Sequence, residues 1–183
     1  MRNRVRVVDR VPEDVAYALT AQSRAAFAGS GSGPVVPTRI AEFVQKSQGT
    51  NVSIAPGSAV SYTADQGPVV DTIGIVTAPG PGGQGTAFRL PAGTYLVDWE
   101  NSNDAAWSLA IYKGPSVGGL AIDTNTIVGS TTATTWIHGR AVFVATDANP
   151  WMMISPVTGT HAIPTAGTAA GEFIARINFA RAA

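Results

Sequence analysis

Two carboxylates, Asp98 and Glu100, stand two residues apart in the run Tyr95-Leu96-Val97-Asp98-Trp99-Glu100. On a strand that spacing puts both on one face, where one carboxyl could give a proton while the other takes one. Such a pair needs a convergent third group, and no motif in the chain supplies it. The competing reading is a solvent-facing strand surface. A calcium ion at the pair would need more oxygens than two side chains offer. The two histidines, His138 and His161, have no partner at a metal-ligand spacing such as H-x-E or H-E-x-x-H. No G-x-S-x-G elbow is present to raise a serine nucleophile. The absence of cysteine excludes a disulfide framework, a thiolate metal site and a catalytic thiol. No catalytic residue, metal or cofactor is therefore expected, and the chain does not read as an enzyme.

The carboxylates sit on the stretch around which the chain is organised. Pro91-Ala92-Gly93 is turn chemistry. It releases into an alternating strand with Tyr95, Val97 and Trp99 on a packed face and Leu96, Asp98 and Glu100 on a wet one. Trp107–Tyr112 follows after the polar segment Asn101-Ser102-Asn103-Asp104, and the two strands are expected to pair as a central hairpin. Further strands are expected at Asn51–Ile54, Ser58–Thr63, Val69–Val76, Leu120–Thr124, Thr134–Ala145, Trp151–Ser155 and Glu172–Ala180, with a long loop at 77–85. In the Thr134–Ala145 strand Trp136, His138 and Arg140 oppose Ile137, Ala141 and Phe143. In the last strand Phe173, Ala175, Ile177 and Phe179 oppose Arg176 and Asn178. Aromatics in such strands are usually core and only occasionally a carbohydrate-stacking platform; of Trp99, Trp107, Trp136 and Trp151, the candidates for an exposed one are Trp107 and Trp136, which neighbour Ser and Thr. Short strands with Gly and Pro between them and no intervening helix make an all-β antiparallel sandwich of jelly-roll type.

Ahead of these strands the pattern changes. Residues 1–48 read as an N-terminal arm and linker, and 49–183 as the sandwich domain. Arg2, Arg4 and Arg6 alternate with Val5 and Val7 in a short basic strand, with Arg10 beyond; these arginines are the candidate partner-binding residues of the arm. Pro12-Glu13-Asp14 begins a short helix with a thin apolar stripe. Gly29-Ser30-Gly31-Ser32-Gly33-Pro34 is a flexible linker by composition. Residues 35–48 fit a short helix capped by Thr38, with Glu42 and Lys46 as an i,i+4 pair, or a strand at Val35-Val36 followed by a helical turn.

The 12 basic and 12 acidic side chains cancel, and charged residues are only 13% of the 183. A nucleic-acid binder would need a basic footprint, so none is expected as partner. No apolar run approaches the roughly 20 residues of a membrane helix, and the basic start lacks the apolar region of a secretory signal. A weakly charged, 45% hydrophobic chain has little self-repulsion and more apolar strand faces than one sandwich core consumes. Self-association is expected, a homotrimer ahead of a dimer.

Phe88-Arg89-Leu90-Pro91-Ala92-Gly93-Thr94-Tyr95-Leu96-Val97 resembles a strand entry of the tumour necrosis factor and complement globular-head superfamily: an aromatic, then Pro, then Gly-x-Tyr. Ile111-Tyr112-Lys113-Gly114 is similar to that family's Lys-Gly turn, and Gly171-Glu172-Phe173-Ile174-Ala175-Arg176-Ile177 to its final strand. The likeness spans about residues 50–180 in jelly-roll order. It departs at Val144-Ala145-Thr146-Asp147-Ala148-Asn149, where the family usually has Gly-Asp. The resemblance implies a tendency to trimerise. In organisation the whole chain also resembles the cement or decoration proteins of tailed-phage capsids: a basic arm, a linker and a cysteine-free jelly roll. That likeness implies a structural virion protein on the capsid surface, made in the host cytoplasm, whose partner is the major capsid protein. The alternative is a jelly-roll module that recognises a receptor or glycan from a fibre or cell surface.

Overall fold

The computed structural model describes residues 39–46, 52–62, 68–83, 85–102, 107–130, 136–158, 161–163 and 173–182. The chain divides into two units, Met1–Pro37 and Thr38–Ala183, and every described residue belongs to the second. In chain order the strands are β1 Ile40–Lys46, β2 Val52–Ile54, β3 Val70–Asp71, β4 Val76–Pro79, β5 Thr86–Arg89, β6 Gly93–Ser102 and β7 Trp107–Gly114. They continue as β8 Ala121–Ile122, β9 Val128–Ser130, β10 Trp136–Ala145, β11 Trp151–Pro156, β12 His161–Ile163 and β13 Phe173–Arg181. Short 3-10 turns at Pro81–Gly83, Val117–Gly119 and Thr124–Thr126 are the helical elements among the described residues. No helix there is long and apolar enough to cross a membrane.

The strands form two main antiparallel sheets. One runs β10-β6-β13-β1-β3; the other runs β4-β5-β11-β7-β8, with β9 also on β7. A separate ribbon pairs β2 with β12. From β5 onward the chain passes from one main sheet to the other at β5→β6, β6→β7, β9→β10 and β10→β11, and the first strand pairs with the last. That order is a jelly roll, the expected fold class.

The inward faces follow from strand alternation. Tyr95, Val97 and Trp99 of β6 are buried, as are Ile137 and Phe143 of β10, Ile177 and Phe179 of β13, and Ala41 and Phe43 of β1. Across the core stand Phe88 of β5, Leu109 and Ile111 of β7, and Met152 and Ile154 of β11. Phe88 knits the layers: its ring lies 5.0 Å from that of Phe43 and 5.2 Å from that of Phe179, both edge-on.

The central hairpin does not form. β6 and β7 lie in different sheets and face one another across the core. Alternation shows which face of a strand turns inward, and both have one; it does not show which strand lies alongside. The segment 35–48 is also corrected where it is described. Ile40–Lys46 is a strand paired with β13 along its length, so this part of the expected arm belongs to the sheet. Ile40, Phe43 and Val44 suit a helical stripe, but Ala41, Phe43 and Gln45 alternate into the core while Ile40 and Glu42 face outward; Val44 is buried as well, on the other side of the strand. Glu42 pairs with Arg176 and not along a helix. The basic arm with Arg2, Arg4, Arg6 and Arg10, the helix from Pro12 and the linker Gly29–Pro34 lie outside the described residues.

Four more segments depart from expectation for local reasons. The run Val69–Val76 breaks because the Asp71 carboxylate accepts the N–H groups of Ile73, Gly74 and Ile75, each at 2.8 Å, around Gly74 at φ +82°. The expected loop 77–85 then begins as β4, which pairs with β5. Ser58–Tyr62 is not a strand but a wedge between β5 and β11. The Val60 N–H donates to the Ile154 carbonyl at 2.8 Å, and the Thr86 N–H donates to the Val60 carbonyl at 3.0 Å. Val60 and Tyr62 are thereby fully buried without ladder partners of their own. Gly85 is required here, since a Cβ would strike the Ala59 carbonyl. The expected strand at Leu120–Thr124 is shortened to Ala121–Ile122 by the 3-10 turn that follows.

Candidate functional site

The Pro91-Ala92-Gly93 turn is locked from two sides. The Tyr95 hydroxyl donates back to the Pro91 carbonyl at 2.6 Å, and Arg181 Nη2 donates to the Ala92 carbonyl at 2.6 Å. Arg181 also lies over the Tyr95 ring, 5.9 Å from its centroid. Burial raises the Tyr95 pKa, with the Arg181 and Arg39 charges opposing. This anchors the start of β6 and with it the register that carries Asp98 and Glu100 outward.

On the outer face of the five-stranded sheet each expected acid/base candidate meets a cation. Asp98 lies opposite Arg140 of β10 and is held by it in a two-pronged pair, whose longer arm is 3.3 Å. Glu100 lies between His138 of β10, with Nδ1 to Oε2 at 3.4 Å, and Arg176 of β13, with Nη1 to Oε1 at 3.5 Å. Arg176 Nε reaches Glu42 of β1 at 3.0 Å. The result is a charge ladder across four strands, cationic on β10 and β13 and anionic on β6 and β1. Each of its carboxylates is engaged by a guanidinium group.

Beside the ladder runs an apolar row. Val142, Leu96, Ala180 and Ile40 are successive cross-strand partners on β10, β6, β13 and β1, with Val144 next along β10. Val142 is 65% exposed, Val144 57% and Ile40 44%, and Trp136 stands exposed at the far end of β10. The large apolar side chain left exposed on a strand of the other main sheet is Val76, among the described residues. Among the described residues, the five-stranded sheet therefore presents an apolar row next to paired charge, and the opposite sheet does not.

The other chemical candidates are dispersed. Trp99 is buried, Trp151 half-buried, and Trp136 exposed, so the aromatic set is not uniformly core. His138 is exposed beside Glu100, and His161 begins β12 opposite Ile54. No cluster of three or more His, Asp or Glu side chains that could hold a metal occurs among the described residues. A cleft of about 190 Å³ is lined by Val76, Arg89, Leu90, Pro91, Asp147 and Pro150, with Gly74 and Ala92 beside them. It contains no nucleophile beside a base.

A buried polar group lies behind the ladder. The Tyr62 hydroxyl donates to Asn101 Oδ1 at 2.8 Å, and its burial drives the phenol pKa well above the ordinary value, with the Asn101 bond opposing. A phenol so placed stays protonated and serves as a structural donor.

Sequence reasoning placed Asp98, Glu100, His138, Arg140 and Arg176 on polar faces but did not bring them together, because register between distant strands is not written in any one of them. It placed Leu96 on the wet face and gave Ile40 to a helical stripe, and it did not single out Val142 or Val144. The available signal was the run Ala141-Val142-Phe143-Val144-Ala145, apolar on both faces of a strand expected to have a wet side.

No family model and no curated protein matches the chain. Twelve chains of solved structures do. One is described as the structure of Eiger TNF from S. frugiperda, 11% identical, with 79% of this chain and 92% of that chain covered and a TM-score of 0.49. The likeness is one of fold alone, and the jelly-roll assignment rests on the strand order itself.

Proposed function

We propose that this chain is a non-catalytic assembly protein that self-associates through the outer face of its five-stranded sheet and acts as a capsid cement or decoration protein. The observation that carries the self-association is the apolar row Val142–Leu96–Ala180–Ile40 beside compensated charge. The described charges of this face nearly balance, two guanidinium groups against three carboxylates, so it offers little to a strongly charged partner. It suits an equally neutral one, and this chain, with 12 charges of each sign, provides such a face in its own copies. A homotrimer is the expected state, a dimer the next.

The capsid role follows from organisation: a basic arm with Arg2, Arg4, Arg6 and Arg10, a Gly/Ser linker and a cysteine-free jelly roll. In this reading the sandwich displays outward and bridges neighbouring shell subunits, and the arm grips the major capsid protein. The second reading is a receptor- or glycan-binding module. It is favoured by the cleft at Pro91, whose Arg89 and Asp147 have no side-chain partner among the described residues.

Two measurements separate the readings. In purified particles a cement protein is present in hundreds of copies, whereas a fibre-borne module is present in a few. Removing residues 1–33 should leave a folded sandwich that no longer attaches to capsids. A truncated chain that still binds capsids would remove the arm from the account.

A further inference from the structure

The charge ladder contains an imbalance that matters once the face is covered. Arg176 is shared by two carboxylates, Glu42 at 3.0 Å and Glu100 at 3.5 Å, while Arg140 is occupied by Asp98. Among the described residues, the remaining group at ion-pair distance from Glu100 is His138, at 3.4 Å. With a neutral imidazole the run Glu42–Arg176–Glu100–His138 carries one surplus negative charge; with a protonated imidazole it carries none. We infer that self-association through this face is proton-linked, with His138 taking up the proton that completes the ladder. The inference rests on the reading of the face as a self-association surface.

While the face is wet, water stabilises the surplus charge, since the Glu100 side chain is 31% exposed and that of His138 64%. A second copy seated on the neighbouring apolar row expels that water. An uncompensated carboxylate then loses solvation without gaining a partner, which is unfavourable. Protonating His138 supplies the partner. The groups around the imidazole support this direction. From β6 it faces Glu100, with Asp98 diagonal to it; along β10 its same-face neighbours are Trp136 and Arg140; Arg176 of β13 and Glu42 of β1 complete the row. The positive charge of Arg140 would oppose protonation, but Asp98 cancels it through the two-pronged pair.

The sign follows from linkage. The assembled state binds the proton more tightly than the free chain, so association is strongest in acid. It weakens as pH rises through the value at which assembled copies release the proton.

The test is sedimentation equilibrium of the full chain at constant ionic strength across the range from about pH 5.5 to about pH 8. The wild type should associate about tenfold or more tightly at the acid end, the change that corresponds to one unit of difference in proton affinity. His138→Gln should lose this pH dependence; since it retains His161, it also shows which histidine responds. Glu100→Gln removes the surplus charge and should associate at the alkaline end as the wild type does at the acid end. Melting temperatures report that both variants are folded. Association that is equal at both ends of the range, or a pH response that survives in His138→Gln, overturns the proton linkage while leaving self-association standing. A wild-type chain that stays monomeric at every pH overturns both.

Discussion

Trp99 and Glu100 are adjacent in the chain and opposite in role. Trp99 fills the core at 2% exposure, and Glu100 faces outward between His138 and Arg176. Replacing Trp99 by Ala should cost about 3–5 kcal/mol, the usual range for a buried large aromatic. Replacing Glu100 by Ala should cost no more than about 1 kcal/mol, because partly exposed ion pairs contribute little. Denaturant melts of the two variants check the order, and the reverse order would mean that the register of β6 is inverted. This contrast was legible from alternation, which needs only the residues of one strand. The identity of Glu100's partners was not, since Arg176 lies 76 positions further on, by subtraction, and reaches it only through the β6–β13 register.

At the scale of elements, packing between strands decides what alternation leaves open. Gly139 pairs with Trp99 across β10 and β6, and a Cβ there would fall inside the indole. The sequence shows a glycine in mid-strand, normally a weakness; the structure shows that the indole occupies its side-chain space. Gly139→Ala should therefore destabilise by about 1–3 kcal/mol, as overpacking does, in place of the modest gain expected when an alanine replaces glycine without a clash. Thermal or denaturant melts measure it, and a gain in stability would contradict the close contact. The same distinction explains the hairpin that does not form. Tyr95, Val97 and Trp99 mark β6 as half-buried, and Leu109 and Ile111 mark β7 likewise, but two half-buried strands can lie side by side or face to face. The pairings of β6 with β10 and β13 and of β7 with β11 choose between these arrangements, and all three are long-range. The break after Asp71 was in principle more legible, as an Asp three residues before a Gly is turn chemistry even inside an apolar run.

For the whole molecule, the two sheets share one core and differ outside it. The outer face of β10-β6-β13-β1 carries Val142, Val144 and Ile40 in the open, with compensated charges alongside. Low charge density in the sequence pointed to buried surface between copies. It did not locate the apolar row, because Ile40 and Val142 fall in one row only through Ala180 and Leu96. The central claim is that this face joins copies of the chain. Its most direct test is light scattering on size-separated protein at tens of micromolar, comparing the wild type with a Val142→Asp, Val144→Asp double variant. Both positions lie on the outer face of β10, so the variant should keep the core and melt close to the wild type. The account predicts a discrete wild-type oligomer, with a trimer mass, and a folded monomer for the variant. A monomeric wild type, or a variant that stays oligomeric, would contradict it.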